Sequence, residues 1–309
     1  DVEGQKSRVE SALRAFGRPI IVFIDDIDRL FPSEVYEMVR IVKAIGDLPN
    51  IGYVLAWDAA YVGQALEKAS VPQGAAYLDK IVQIRMPLPA ISFAARTRLV
   101  EDAIATLDSA ATSGHHFPGE EDRFAILYHS GLRELLDYPR DVIRVFNTVR
   151  VVEPALRAEV SFADIVGLAA LMVKATPVFD LLPKHPNFFV GRMPFEYALP
   201  GSDQELVDAG SAARSEAYAQ CESPRAVEKL VKRLFPLTKH SDGMYGQVSL
   251  MHGHLAAPER LLVALQLSTG PSDVSFVDAR RYLSDPTHRE AIHATLTSQN
   301  FLEFMENLG

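Results

Sequence analysis

The chain has 309 residues, 48% of them hydrophobic and 23% charged. That composition supports folded cores, and the length allows two or three domains. A net charge of −9 argues against a generally basic nucleic-acid surface, and the single cysteine, Cys221, excludes an intrachain disulfide or a multi-cysteine zinc site. A reducing, cytoplasmic setting fits. No apolar run reaches about 18 residues, so no membrane span is expected, and no signal peptide is visible. The first residue is Asp1 rather than Met, which leaves the chain readable as part of a longer product.

In chain order, Val9 to Phe16 has the pattern of an amphipathic helix. Ile20 to Ile24 is an unbroken, largely β-branched run, expected to form a strand buried on both faces at the centre of a parallel sheet. It ends in Asp25 and Asp26, with Asp28 and Arg29 just beyond. Ser33 is a candidate N-cap for a helix over Glu34 to Ile45, which Gly46 closes in a left-handed cap. Ile51 to Trp57 reads as a second strand with Asp58 at its carboxyl end. Strand, helix and strand with short connections make a βαβ unit, so the strands should be parallel and the acids should leave the sheet at one edge. Such edges are where open α/β sheets bind ligands. A helix over Ala59 to Ala69, a loop from Ser70 to Ala75 and a strand over Ile81 to Met86 follow, ended by Pro87 and Pro89. A domain boundary is expected near residue 90.

Beyond it the periodicity is helical. Ile91 to Leu107, Asp122 to Ser130, a helix starting at Tyr138-Pro139 and Phe162 to Thr176 make an all-α subdomain, interrupted by a surface loop from Ser109 to Glu121. In the third of these, Val142, Val145, Phe146 and Val149 face a core, while Arg140, Arg144 and Asn147 share another face. Residues 177–210 read as an irregular connector. Helices are expected over Ser211 to Phe235 with a break at Ser223-Pro224, then over Arg260 to Leu267, Asp278 to Leu283 and Thr287 to Met305, after a turn-rich stretch from Asp242 to Gly253.

Four segments in order resemble the KAP family of P-loop NTPases: IVFIDDIDRL (Ile21 to Leu30), LPNIGYVLAWD (Leu48 to Asp58), YLDKIVQIRMPLP (Tyr77 to Pro89) and YPRDVIRVFN (Tyr138 to Asn147). The first is similar to a Walker B segment. The resemblance implies an α/β fold made of a partial P-loop NTPase parallel sheet over residues 1–90. It further implies an all-α lid over 91–176 and a C-terminal, mainly helical domain over 177–309. It implies ATP and Mg²⁺ as ligands, and turnover that drives a conformational or assembly change through self-association or a partner protein, with bacterial defence among the family's roles. Some members carry a membrane segment upstream. The family's phosphate-binding loop precedes Walker B, yet no GxxxxGK[ST] occurs in these 309 residues. A non-hydrolysing helical interaction scaffold is therefore the alternative.

The same resemblance assigns roles. Asp25 would hold Mg²⁺ and Asp26 would orient or deprotonate the attacking water. Asp58 would act near the nucleotide, the alternative being a helix N-cap. Lys80 would contact phosphates, the alternative being a surface pair with Asp79 or Glu67. Arg140 would be a lid cation, whereas Arg144 could simply pair with Asp141 or Asp137. Asp28 and Arg29 belong to the motif, or else form a local salt bridge. His252-Gly253-His254 and His115-His116 lack a third ligand and read as surface histidines. A basic strip of Arg225, Lys229, Lys232 and Arg233 on one helix reads as a solvated face.

Overall fold

The structure, a computed structural model, describes residues 2–112, 117, 120–193, 201–239, 250, 252–267, 275–297 and 300–308. The described residues are mostly helical, with one small parallel sheet, and the chain divides into two compact units, residues 1–89 and 90–309.

In the first unit, α1 (Val2–Phe16) leads into β1 (Ile20–Ile24), followed by α2 (Pro32–Ile45), β2 (Ile51–Leu55), α3 (Ala59–Lys68) and α4 (Gly74–Leu78). β1 and β2 pair in parallel, Ile20 against Ile51 through Ile24 against Leu55. The βαβ reading therefore holds. α2 starts two residues earlier than expected. Pro32 occupies the first helical position, where its missing N–H costs nothing, and Glu34 accepts a hydrogen bond from the Phe31 N–H at 2.9 Å. Ser33 thus lies inside the helix, and Gly46 ends it in a right-handed conformation (φ −63°). The core joins Ile27, Val35, Val39, Val62, Ala65, Leu66 and Leu78, with Ile24, Leu55 and Trp57 packed against it. Gly74 sits where α4 meets α3; a Cβ there would lie 2.1 Å from the Gly63 carbonyl oxygen.

Two expectations fail here. β1 is covered on one face only: Ile21 and Phe23 are 60% and 74% exposed, and Val54 of β2 is exposed beside them. An all-apolar strand has the composition for two covered faces, but the described residues supply helices to one. Ile81 to Met86 is not a strand. Beyond Gln83 the chain has no regular structure, Ile84, Met86 and Leu88 are largely exposed, and there is no ladder partner among the described residues.

The second unit runs through α5 (Phe93–Ala105), α6 (Ser109–Thr112), α7 (Glu120–Leu127), α8 (Arg133–Leu135), α9 (Pro139–Leu156), α10 (Phe162–Lys174), α11 (Thr176–Leu181), α12 (Asn187–Val190), α13 (Asp203–Ala209), α14 (Ser211–Ala219), α15 (Pro224–Leu234), α16 (Pro258–Gln266), α17 (Phe276–Ser284), α18 (Arg289–Thr295) and α19 (Phe301–Leu308). α10 is apolar nearly all round, and its residues Ala163 to Leu171 are buried. Val142, Val145, Phe146 and Val149 of α9 are buried against it, as their spacing requires. A kinked turn at Tyr128–Leu132, non-helical at Ser130 and Gly131, packs on α15. Gly131 there has φ 119°, and a Cβ would fall 2.3 Å from the Ala226 carbonyl oxygen, so the close approach needs glycine.

The expected loop at Ser109 to Glu121 contains α6, the first residues of α7 and a buried Phe117; His115-His116 lies outside the described residues. The expected connector over 177–210 contains α12, α13 and most of α11; residues 194–200 lie outside the description. Thr287 to Met305 is not one helix but a 3₁₀ turn followed by α18 and α19. Residues 242–249, most of the expected turn-rich stretch, also lie outside the described residues.

A buried ionic clasp holds α7, α10 and the segment before α16. Asp164, fully buried, accepts from Arg123 Nε at 2.8 Å, from the second Arg123 nitrogen at 3.2 Å and from the Leu255 N–H at 2.7 Å. His254 sits beside it. Burial holds its pKa down to about 4; Arg123 and His252 push the same way, and Asp164 opposes them. His254 is therefore neutral in the fold but protonates below about 6.5 once unfolded. The unfolded state binds more protons between those values. Stability is fully present above pH 6.5 and falls as the pH drops toward 4, by at most about 3 kcal/mol from this group. Denaturant titrations across pH 4 to 7 should show that slope, and His254→Gln should flatten it; an equal slope in the variant would contradict the assignment.

Candidate functional site

The acids follow the carboxyl ends of the two strands. Ile24 and Leu55 close the ladder, and the Ala56 N–H adds a further hydrogen bond to the Ile24 carbonyl at 2.9 Å. Because the strands are parallel, Asp25, Asp26 and Asp58 leave the sheet at one edge. Asp25 and Asp26 are both exposed. Asp25 Oδ1 accepts the Asp26 N–H at 2.8 Å. Asp26 takes φ 59° and ψ 24°, a left-handed conformation that Asp and Asn tolerate better than other non-glycine residues. That turn redirects the chain into a 3₁₀ turn at Ile27–Arg29, whose Ile27 is driven into the core. From the far side, the Tyr61 hydroxyl donates to the Leu30 carbonyl at 2.7 Å and ties the turn to α3. The acidic turn is thus fixed by burial on one side and by a long-range hydrogen bond on the other.

Arg29 Nε lies 2.9 Å from Asp26 Oδ1. The local salt bridge in this motif therefore joins Arg29 to Asp26, not to Asp28. Both side chains are more than half exposed, so the pair is worth about 1 kcal/mol or less and opens readily. It partly offsets the repulsion between two adjacent carboxylates. Asp58 Oδ1 accepts from the Ala60 and Tyr61 N–H groups at 2.8 and 3.2 Å, making it the N-cap of α3. Its carboxylate is thereby oriented at the edge that Asp25 and Asp26 share.

Lys80 lies exposed in the turn after α4, and the neighbouring Asp79 pairs with Arg85 at 2.7 Å instead. Arg140 belongs to the second unit, exposed in the first turn of α9 with Arg144 and Asn147 on the same face. The pairings weighed for Arg144 are not formed, because Asp137 binds Arg96 at 2.6 Å and Asp141 binds Lys174 at 3.0 Å. In the basic strip of α15, Lys229 pairs with Glu134 and Lys232 with Glu228. That neutralisation agrees with a solvated structural face. The contacts that sequence alone misses, Tyr61 to Leu30 and Lys174 to Asp141, join residues 31 and 33 positions apart, beyond any local pattern.

With this geometry in view, residues 1–156 match the KAP family P-loop domain. The chain belongs to the KAP family. The Phage T7 exclusion protein of Escherichia coli (strain K12) is 28% identical to it over 177 residues, which is 57% of this chain and 24% of that protein. The chain therefore spans about a quarter of the length of that curated relative. No solved structure matches it. Membership of a P-loop family supports a nucleotide-binding role for this KAP chain. No helix among the described residues is long and apolar enough to cross a membrane.

Proposed function

We propose that this KAP chain carries the acidic half of an ATP-hydrolysing centre, with its phosphate-binding loop supplied from outside residues 1–309. The observation that carries the reading is the pair Asp25 and Asp26, exposed side by side at the carboxyl end of a parallel strand. Phosphoryl transfer needs charge neutralisation and a placed water more than covalent chemistry, and two fixed carboxylates suit both needs. Their hard oxygen donors fit Mg²⁺, which keeps several waters and requires few protein ligands. Among the described residues no group of three or more metal-ligating side chains gathers, so water and phosphate oxygens would complete the shell around Asp25. Bound Mg²⁺ would neutralise phosphate charge. Asp26 would orient the attacking water and accept its proton, releasing the Arg29 guanidinium as it does so. Asp58 would act from the same edge through water. Lys80 and Arg140 would bring positive charge to the phosphates, Arg140 from a helical lid over residues 91–176. The scaffold reading rests on the absence of GxxxxGK[ST] from the chain.

Turnover would drive a conformational or assembly change in the cytoplasm through self-association or a partner protein. The printed name of the relative suggests phage exclusion as the kind of work done. Nucleotide titrations of the complete gene product test the metal site. Mg²⁺ should tighten ATP binding about tenfold, or about 1.4 kcal/mol, and Asp25→Ala should abolish that gain while leaving metal-free affinity unchanged. An equal gain in Asp25→Ala would refute the role of Asp25.

A further inference from the structure

We propose that Lys174 and Glu222, beyond the family-matched region, are positioning residues that set the first turn of α9 and thereby Arg140. This inference rests on the reading of Arg140 as the lid cation. Arg140 is exposed, but its neighbour Asp141 is 5% exposed and held through both carboxylate oxygens. Asp141 Oδ2 accepts the Tyr138 N–H at 3.4 Å, capping the start of α9. Its Oδ1 accepts from Lys174 Nζ at 3.0 Å. Lys174 ends α10, and its ammonium also reaches Glu222 Oε2 at 3.0 Å, between α14 and α15. Burial works against the lysine charge, but the hydrogen bonds to Asp141 and Glu222 outweigh it and raise its pKa above the ordinary value.

A buried ion pair is a poor way to gain stability, because an apolar pair of similar volume often does as well. What an ion pair adds is directional constraint. Here the constraint falls one residue from Arg140, on a turn whose first residue is already fixed by Pro139. Family-matched residues end at 156, so this clamp comes from outside the P-loop domain. It gives the C-terminal region a physical handle on the lid through Glu222: a shift of the turn that carries it pulls on Lys174 at the end of α10 and, through Asp141, on the first turn of α9.

A double-mutant cycle on the complete gene product tests this, with kcat, KM for ATP and thermal midpoint as readouts. Arg140→Ala should lower kcat about 100-fold. Lys174→Met should lower it about tenfold with little change in KM, and Lys174→Arg should restore most of the loss. In the Arg140→Ala background, Lys174→Met should cost nothing more, because its effect passes through Arg140. Glu222→Lys, a surface change that leaves the core intact, should lower kcat about fivefold with an unchanged midpoint and the same non-additivity. Losses that multiply in the double variant, or wild-type kcat in both Lys174→Met and Glu222→Lys, would overturn the positioning role alone. Wild-type kcat in Arg140→Ala would instead overturn the underlying reading of Arg140, and this inference with it.

Discussion

Replacing Asp26 by Asn in the complete gene product should lower ATP turnover by about 10²- to 10⁴-fold while nucleotide affinity changes less than about twofold. The substitution is chosen on structural grounds. Asp26 sits at φ 59°, where Ala would be strained but Asn is tolerated, so the turn into Ile27 should persist. The pair with Arg29 is exposed and contributes about 1 kcal/mol or less, so its loss cannot account for a rate change of that size. What remains is the loss of a carboxylate able to take a proton. Steady-state phosphate release, measured beside equilibrium nucleotide binding, checks it. Turnover equal to wild type would remove Asp26 from the chemistry.

The second large effect concerns stability. Asp164→Asn should destabilise the helical unit by about 3–5 kcal/mol. The carboxylate is fully buried and satisfies Arg123, itself only 12% exposed, through two hydrogen bonds. An amide would turn donors toward a guanidinium that is all donor and leave a buried cation without its counter-charge. The Leu255 N–H would also lose the charge it now donates to. Urea unfolding followed by far-UV circular dichroism is the appropriate measurement. The single tryptophan, Trp57, lies in the other unit, so fluorescence would follow the wrong part of the chain. A change under about 1 kcal/mol would show that Asp164 is not the closing element of the clasp. Replacing Arg123 and Asp164 together by apolar residues of similar volume should recover much of the loss, since the cost lies in the orphaned charge.

Much of the first unit was legible in the sequence because its signals are local. A β-branched run, an amphipathic helix and a second run with short connections specify a parallel pair, although the helix begins at Pro32 rather than after Ser33. Asp58 two residues before Ala60 specifies a cap. The two covered faces expected of β1 were not a local matter. An apolar run permits burial on both sides, but whether Ile21 and Phe23 are covered depends on chain far from them, and among the described residues they are exposed. Likewise the strand expected over Ile81 to Met86 finds no partner among the described residues, and a strand exists only by pairing. In the second unit, helices as short as α12 and α13 are below the length at which a period of 3.6 can be read. Proline and glycine around them hid the helices as irregular chain. At the site, the identity of the acids was visible, but their tethers were not. That Arg29 binds Asp26, that Tyr61 holds Leu30 and that Lys174 holds Asp141 follow from the fold rather than from any motif.

The measurement that bears most directly on an ATP-hydrolysing centre built on Asp25 and Asp26 is Mg²⁺-dependent phosphate release from ATP by the complete gene product, wild type against Asp26→Asn. Release that requires Mg²⁺ and exceeds the variant by at least about 100-fold is the expected result. ATP that binds but is never hydrolysed by the wild type would contradict it and leave the helical scaffold as the function.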